Sequence, residues 1–196
     1  MGLLQPLFDP PVALVPFEDC HIEPLRSACA EDPDIWEIYP LCLFGEHFDG
    51  SLAFLAARSN WLRFAVLDGQ TVVGMTSFID PDEAAGMVEI GGTFIAPSVR
   101  GTAFNRTMKA LLIDHAFAHG MHMVAFRVDT RNGRSMRAVE KLGARRVATL
   151  ERNLTTWTGY VRDTAVFHLT RVDWHRQSPQ AGLGAAAAPR RAPSTT

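Results

Sequence analysis

The hydrophobic pattern of this chain changes its period at Pro97. Before it, over residues 87–96, alternating residue types are typical of a β-strand. After it, apolar residues recur at helical spacing over residues 104–119, and Gly120 supplies a helix-ending signal. We expect the strand to have two faces, one with Val88, Ile90, Gly92 and Phe94 and the other with Glu89, Gly91, Thr93 and Ile95. A strand that leads directly into a long apolar helix restricts the chain to folds that mix the two.

Further strands and helices surround this unit. Strands are predicted before it over residues 12–17, 62–67 and 71–79, with turns at Asp68-Gly69 and at Asp80-Pro81-Asp82. Helices are predicted over residues 21–30 and 48–58. After the unit come a strand over 124–128, a helix over 132–142, and strands over 147–150 and 164–170. Antiparallel strands followed by a strand–helix–strand–helix–strand section predict a mixed α/β sheet rather than a doubly wound one.

Length and composition limit the function classes. The chain has 196 residues, is 47% hydrophobic and 20% charged, and has a formal net charge of −2, so bulk electrostatics gives no reason to expect a nucleic-acid partner. We expect one domain over residues 1–176 and a disordered tail over 177–196, where small and polar residues cannot bury enough apolar surface. The absence of a positive leader and of a long apolar run predicts a cytoplasmic protein without a membrane partner.

The segment over residues 97–106 has the features of an anion-binding turn. The first N–H groups of a helix lack intrahelical partners and lie at the positive end of its macrodipole, so they can bind a diphosphate. Small residues at Gly101 and Ala103 allow close approach, and Arg100 and Arg106 can add charge-assisted bonds. The segment matches neither a Walker loop nor a Rossmann fingerprint. Taken alone, it also fits a simple turn before a helix.

A second strand-to-helix junction lies at residues 129–135. Asn132 can cap the shorter helix or bond an amide-containing ligand, and Ser135 follows about one turn inside that helix. Both positions are near the open end of the helix, where backbone N–H groups are free. The junction is therefore a second candidate for ligand contact.

The order of these segments resembles the GNAT superfamily of acetyltransferases, specifically its ribosomal-protein N-terminal acetyltransferase branch (RimJ/RimL type). The resemblance covers roughly residues 10–175. It is carried by Glu89-Ile90-Gly91, Arg100-Gly101-Thr102-Ala103-Phe104-Asn105, Arg127, Asn132-x-x-Ser135, Glu140-Lys141-Leu142-Gly143-Ala144, Arg162-Asp163-Thr164 and Val172-Asp173-Trp174.

The resemblance implies a fold and a cosubstrate. The fold is a mixed, mostly antiparallel sheet flanked by helices and split between two parallel strands, here residues 87–96 and 124–128. The pantetheine arm of acetyl-coenzyme A enters the split. The contacts that the resemblance implies are Phe94, Ile95, Arg100, Gly101, Thr102, Ala103, Phe104, Asn105, Arg106, Asn132 and Ser135. Ala103 departs from the family's usual glycine and would be strained if the position needed a positive φ.

The resemblance also implies direct transfer of the acetyl group to an amine. Glu89 is the candidate base, although a structural hydrogen bond at the sheet fits the same residue, and a water wire could replace it. Backbone N–H groups near residues 93–95 would stabilise the oxyanion. Many members of the superfamily have a Tyr in the shorter helix that protonates the leaving thiolate, but neither Tyr39 nor Tyr160 is there. The resemblance to the RimL-like branch implies Ser135, at the Asn-x-x-Ser position, for this role, and a hydrogen bond from its hydroxyl to the helix backbone is the alternative.

The acceptor is left open by the sequence. Trp36 and Trp157 are candidate acceptor contacts, with core packing as the alternative, and Glu151 is a further acidic candidate. A protein N-terminus or a small-molecule amine would serve as acceptor, and an acidic groove would favour a cationic one. A non-catalytic acyl-coenzyme A sensor and a transferase of a larger acyl group such as succinyl remain alternatives. The resemblance also allows a homodimer.

One pair of residues suggests a metal site, but the pattern is incomplete. His115 and His119 are four residues apart on a predicted helix, which places them on one face. The sequence has no His-Glu-x-x-His pattern and no third ligand nearby, so we expect no metal.

Overall fold

A computed structural model describes residues 2–177 of the chain. It contains one eight-stranded sheet, with the strands β1 Leu7–Asp9, β2 Val12–Pro16, β3 Trp61–Asp68, β4 Thr71–Asp82, β5 Met87–Ile95, β6 Met123–Asp129, β7 Arg145–Thr155 and β8 Val161–Thr170. The helices are α1 Ile22–Ala30, α2 Phe48–Ala56, α3 Phe104–Ala118, α4 Gly133–Glu140 and α5 Arg171–Gln177. The strand order is β1-β2-β3-β4-β5-β6-β8-β7, and β5 with β6 is the parallel pair. The predicted mixed, mostly antiparallel sheet is confirmed.

Three parts of the predicted layout are wrong. The turn predicted at Asp80-Pro81-Asp82 is an irregularity inside β4, because Asp82 pairs again with Met87 and the chain reverses only over residues 83–86. The last two strands are longer than predicted, since their antiparallel pairing extends almost to the turn that joins them. Strand β1 and helix α5 were not predicted because both are short and have little periodicity of their own.

The predicted faces of β5 are also wrong beyond Gly91. Residues directly opposite in an antiparallel pair share a face, and the partners of Glu89, Gly91 and Phe94 are Ile79, Ser77 and Met75. Those three alternate regularly along β4, so Phe94 shares the face of Glu89. The physical reason is a β-bulge in which the extra residue, Gly92 at φ +57°, reverses the alternation.

The helices cover the two faces of the sheet differently. Helix α3 packs on the face of Phe78, where the ring of His115 stacks at a centroid distance of 6.3 Å. On the other face, the short 3-10 turn Pro33–Ile38 places Trp36 against Phe94, with ring centroids 4.9 Å apart. We call these the α3 face and the Glu89 face.

The sheet opens between β5 and β6. Their parallel pairing joins Met87 to Met123, Val88 to Val124 and Glu89 to Ala125, and it continues no further. Beyond Glu89 the two strands separate, and helix α3 crosses from the end of one to the start of the other. The predicted split is therefore present, with Glu89 at its apex.

Residue 177 belongs to α5, and residues 178–196 of the predicted tail lie outside the described part. Within residues 2–177, the helices include none with the length and hydropathy needed to cross a membrane.

Candidate active site

A cavity of about 720 Å³ occupies the split between β5 and β6. It reaches both faces of the sheet, because side chains of the Glu89 face and of α3 line it together. Six basic and three acidic side chains are among its lining residues: Arg58, Arg100, Lys109, Arg127, Arg134 and Arg162, and Asp80, Glu89 and Asp129. The cavity is therefore not the acidic groove that would favour a cationic acceptor.

The turn before α3 presents free backbone N–H groups beside this cavity. Among the described residues, no acceptor is found for the N–H groups of Gly101, Thr102, Ala103, Asn105 and Arg106, whereas Phe104 N donates to Thr102 Oγ1. Gly101 and Asn105 also line the cavity. Ala103 has φ −65° and ψ −17°, so the residue that replaces the family's glycine is in an ordinary right-handed conformation.

The two arginines of this turn are placed differently. Arg100 is turned towards the protein, because its Nε donates to Ile95 O at 2.8 Å and its Nη1 pairs with Asp32. Its guanidinium therefore already has protein acceptors. Arg106 is exposed on the first turn of α3 and forms no ion pair within residues 2–177. Arg106 is thus the freer of the two predicted phosphate ligands.

Asn132 and Ser135 lie at the start of α4. The Asn132 side chain accepts a hydrogen bond from Ser135 N at 3.0 Å, so the capping role is present. Both residues line the cavity. The Ser135 hydroxyl has no hydrogen-bond partner in the described part of the chain and is available to a ligand.

Glu89 is enclosed at the apex of the split. Only 14% of its side chain is exposed, and Arg127 Nε lies 3.4 Å from its Oε2. Burial raises the pKa of Glu89, and the nearby Arg127 offsets part of that rise. A Cβ at Gly91 would lie 2.9 Å from Glu89 Oε1, so the glycine leaves room for the carboxylate.

Lys109 is a cavity residue that the sequence analysis missed. It is a buried residue of α3 whose Nζ donates to Thr93 Oγ1 at 2.8 Å, and Thr93 Oγ1 is 2.8 Å from Thr76 Oγ1. Burial lowers the pKa of Lys109 to about 7. Its position four residues before Ile113, in the apolar stripe of α3, is the sequence signal that could have identified it.

Tyr39 also faces the bulge from the Glu89 face. Its hydroxyl donates to Thr93 O at 2.8 Å, and burial raises its pKa to about 12. Tyr39 therefore donates to the carbonyl group of Thr93, and Arg100 donates to that of Ile95. Both carbonyl groups face the gap where β6 has separated from β5. The sequence carried no signal for this contact, since Tyr39 is 54 residues from Thr93.

The two candidate acceptor tryptophans differ in exposure. Trp36 is 1% exposed, its Nε1 donates to Cys29 O, and it forms part of the cavity wall. Trp157 is 40% exposed in the turn between β7 and β8, outside the cavity lining. Its Nε1 donates to Trp36 O at 2.7 Å, which fastens the hairpin to the cavity wall. Glu151 is exposed on β7 and does not line the cavity.

Arg162 is a further cavity residue without an assigned role in the sequence analysis. It belongs to β8, is 7% exposed, and its Nε donates to Thr164 Oγ1 at 3.1 Å. Burial lowers its pKa, although a guanidinium of this kind stays charged.

The histidine pair of α3 is occupied by backbone contacts. His115 Nε2 lies 3.0 Å from Leu3 O, and His119 Nδ1 lies 2.8 Å from His115 O. Residues 2–177 contain no group of three or more His, Cys, Asp or Glu side chains that could hold a metal ion.

The family comparison agrees with this geometry. The model of the GNAT acetyltransferase domain matches residues 12–145. No protein of curated function matches the sequence.

Solved structures share the whole fold. A structure assigned as an acetyltransferase from T. thermophilus is 28% identical, with a TM-score of 0.81 over 90% of this chain and 94% of that one. One assigned to the GNAT family from Chromobacterium violaceum is 25% identical, with a TM-score of 0.81 over 89% and 96%. Mycobacterium smegmatis RimJ in complex with CoA-disulfide is 23% identical, with a TM-score of 0.71 over 87% and 90%, and shows a shared fold only.

Three observations now agree: the split sheet, the free N–H groups beside it, and a family match over more than half of the sequence. This chain belongs to the GNAT family of acetyltransferases.

Proposed function

We propose that this protein transfers the acetyl group of acetyl-coenzyme A to a primary amine, either a protein N-terminus or a small molecule, by direct attack. The observation that carries the proposal is the row of free N–H groups between Gly101 and Arg106, at the edge of a cavity that passes through the split sheet. An anionic nucleotide thioester fits this arrangement, because the amides can bind its diphosphate while its arm enters the split. RimJ, which has the same fold, was solved with CoA-disulfide.

Acetyl-coenzyme A supplies the thioester, and the residues of the chain supply proton transfer and charge stabilisation. Glu89 is the proposed base that removes the proton of the attacking amine. Its enclosed carboxylate lies on the lining of the cavity, and its raised pKa brings it closer to the pKa of an amine. As the N–C bond forms and the C–S bond breaks, the proton of the amine passes to Glu89.

The open edge of β5 is the proposed oxyanion site. The N–H and C=O groups of one strand residue point to the same edge. The carbonyls of Thr93 and Ile95 face the gap, so we infer that their N–H groups do the same. Such fixed donors stabilise the charge that develops on the carbonyl oxygen.

Ser135 is the proposed donor of a proton to the leaving thiolate, and its hydroxyl takes up a proton from solvent in the same step, so that the free thiol leaves and the hydroxyl is restored. Its free hydroxyl and its cavity position support this role, and Asn132 beside it would contact the pantetheine region. The RimJ/RimL type is proposed from the motif Asn132-x-x-Ser135 and the segment from Arg162 to Trp174. Trp36 in the cavity wall would shape the acceptor region, whereas Trp157 would act through its bond to Trp36.

The test combines a crystal structure with acetyl-coenzyme A and an assay of thioester consumption with a panel of amines. We expect phosphate oxygens within hydrogen-bond distance of the N–H groups of residues 101–106, and amine-dependent release of the free thiol. A cofactor bound elsewhere would overturn the binding proposal. Binding without turnover of any amine would instead support a sensor, and turnover only of succinyl-coenzyme A would identify a larger acyl group.

A further inference from the structure

Arg162 has a buried positive charge that the described protein leaves unpaired. Its Nε bonds Thr164 Oγ1, but no acceptor for its two Nη groups is found among residues 2–177. No carboxylate oxygen of these residues lies within 4.0 Å of its guanidinium. The side chain nevertheless lines the cavity, so the unpaired part of the guanidinium is open to a ligand.

The nearest acidic groups are engaged elsewhere. Asp129 is held by Arg131, whose backbone N, Nε and Nη2 all donate to it, at distances of 2.9, 3.1 and 2.8 Å. Glu89 lies beside Arg127 Nε. Both carboxylates act on Arg162 only at longer range. Neither one is positioned to neutralise it.

Neither Nη group of Arg162 is among the fully buried side-chain atoms without a partner, so both reach the cavity. Burial of the rest of the side chain reduces the hydration of the guanidinium, and an anion in the cavity would compensate for that loss. A planar guanidinium with two free Nη groups matches the two oxygens of a carboxylate. The arrangement therefore has the properties of a binding site for a small anion.

The position of Arg162 relates this site to the acceptor amine. Glu89 pairs with Ala125, and Asp129 is four residues after Ala125 on β6, so Asp129 lies on the Glu89 face. Its partner Thr164 lies on the same face, and so does Arg162, two residues before Thr164 on β8. Arg127 of the same face contacts Glu89. A ligand with an amine at Glu89 can thus place a second group towards Arg162 across one face of the sheet.

We propose that Arg162 binds a carboxylate of the acceptor, so that the substrate is an amine that also carries a carboxylate group, as a free amino acid does. The proposal rests on the function proposed above. The cavity has more basic than acidic side chains, which suits both the anionic cofactor and a carboxylate on the acceptor. The other source of a suitable anion is a phosphate group of the cofactor, and the experiment separates the two.

The experiment measures binding, so it does not depend on turnover. The probes are N-acetyl derivatives of the standard amino acids that have a primary α-amine. Each is compared with its primary amide and titrated into the full chain with and without coenzyme A. For at least one pair we expect the acid to bind the wild type roughly 10- to 100-fold more tightly than the amide. In Arg162→Met this preference should fall to within about twofold, with the affinity for coenzyme A unchanged.

Two further variants control for the change of charge and for folding. Arg146→Met removes an exposed arginine of β7 and should keep the preference. Arg162→Lys keeps the charge without the planar fork and should retain only part of it. If Arg162→Met does not fold, Arg162→Lys takes its place in the comparison.

Two outcomes overturn the proposal. One is that no acid is preferred over its amide by the wild type. The other is that Arg162→Met or Arg162→Lys loses coenzyme A affinity while the preference persists, which would assign the anion to the cofactor. Failure of the general function would be separate, since the wild type would then neither bind coenzyme A nor consume the thioester.

Discussion

Lys109 Nζ donates a 2.8 Å hydrogen bond to Thr93 Oγ1 and so joins the middle of α3 to the bulge of β5. The bond crosses from the helix to the strand edge where the sheet opens. Thr93 is at the same time bonded through its carbonyl to Tyr39 from the opposite face. One residue of the bulge is therefore held from both faces of the sheet, which keeps the open edge of β5 in a defined position.

The lowered pKa of Lys109 predicts a stability that depends on pH. Its folded pKa of about 7 is below the unfolded value of about 10.4, so between these values the unfolded chain binds more protons and stability rises with pH. Relative to Lys109→Met, the free energy of unfolding of the wild type should increase from pH 7 to 10 and show no such trend below pH 7. Urea unfolding of the wild type and of Lys109→Met across pH 6 to 10 measures this difference in the free energy of unfolding.

The control for that series is Lys141→Met, since Lys141 is exposed just after α4. Its curve of unfolding free energy against pH should parallel that of the wild type. If the Lys109→Met curve is parallel as well, burial does not lower the pKa of Lys109 in the folded protein.

Replacing Glu89 by Gln should slow turnover with little change in coenzyme A affinity. The amide keeps the shape of the side chain but cannot accept the proton of the amine, and loss of a general base costs roughly 10²- to 10⁴-fold in rate. In the wild type, kcat/KM should fall as pH drops below the raised pKa of Glu89, and this limb should be absent in the variant. Steady-state kinetics against pH and calorimetry with coenzyme A supply the two readouts.

A matched control is Glu151→Gln, which changes an exposed carboxylate of β7. It should leave both rate and affinity at wild-type values. Unchanged turnover in Glu89→Gln would exclude Glu89 as the base and leave a water wire as the route for the proton.

Asn132→Ala should weaken both the protein and its binding of coenzyme A. The substitution removes the oxygen that accepts from Ser135 N, and loss of such a cap costs about 1 kcal/mol. Asn132→Asp separates the effects, because aspartate restores the cap but not the amide N–H donor. The unfolding temperature of Asn132→Asp should therefore return towards the wild-type value, whereas its affinity for coenzyme A should stay as low as that of Asn132→Ala. Full recovery of both would limit Asn132 to capping.

Gly92→Ala should destabilise the protein by about 1–2 kcal/mol, because the residue has φ +57° and an L side chain disfavours that conformation. The added Cβ would also lie 3.1 Å from Trp61 Cζ3. Gly50→Ala in α2 is the comparison, since nothing lies within 4 Å of its Cβ and alanine favours a helix by roughly 0.5–1 kcal/mol. Chemical denaturation should show a lower free energy of unfolding than the wild type for Gly92→Ala and a higher one for Gly50→Ala.

Local patterns were enough to predict the turn that precedes α3. The change of period at Pro97 and the small residues after it placed the start of α3 correctly, because helix starts and their free N–H groups depend on neighbouring residues. The same holds for Asn132, whose capping bond spans three residues. The alternation of β5 failed at Gly92, since a bulge depends on the register of two strands and is not visible in one.

The sequence by itself determined the mixed α/β sheet, the order of most of its elements and the positions of its two strand-to-helix junctions, since these follow from periodicity and short-range backbone preferences. The split between the two parallel strands was expected only from the family resemblance. Only the tertiary structure decided which charges meet in the cavity. Arg100 pairs with Asp32, Lys109 donates to Thr93, and Arg162 has no acidic partner among residues 2–177. Such pairings join residues far apart in the chain, and their energies depend on burial and distance, which arise only when the sheet and its helices pack together.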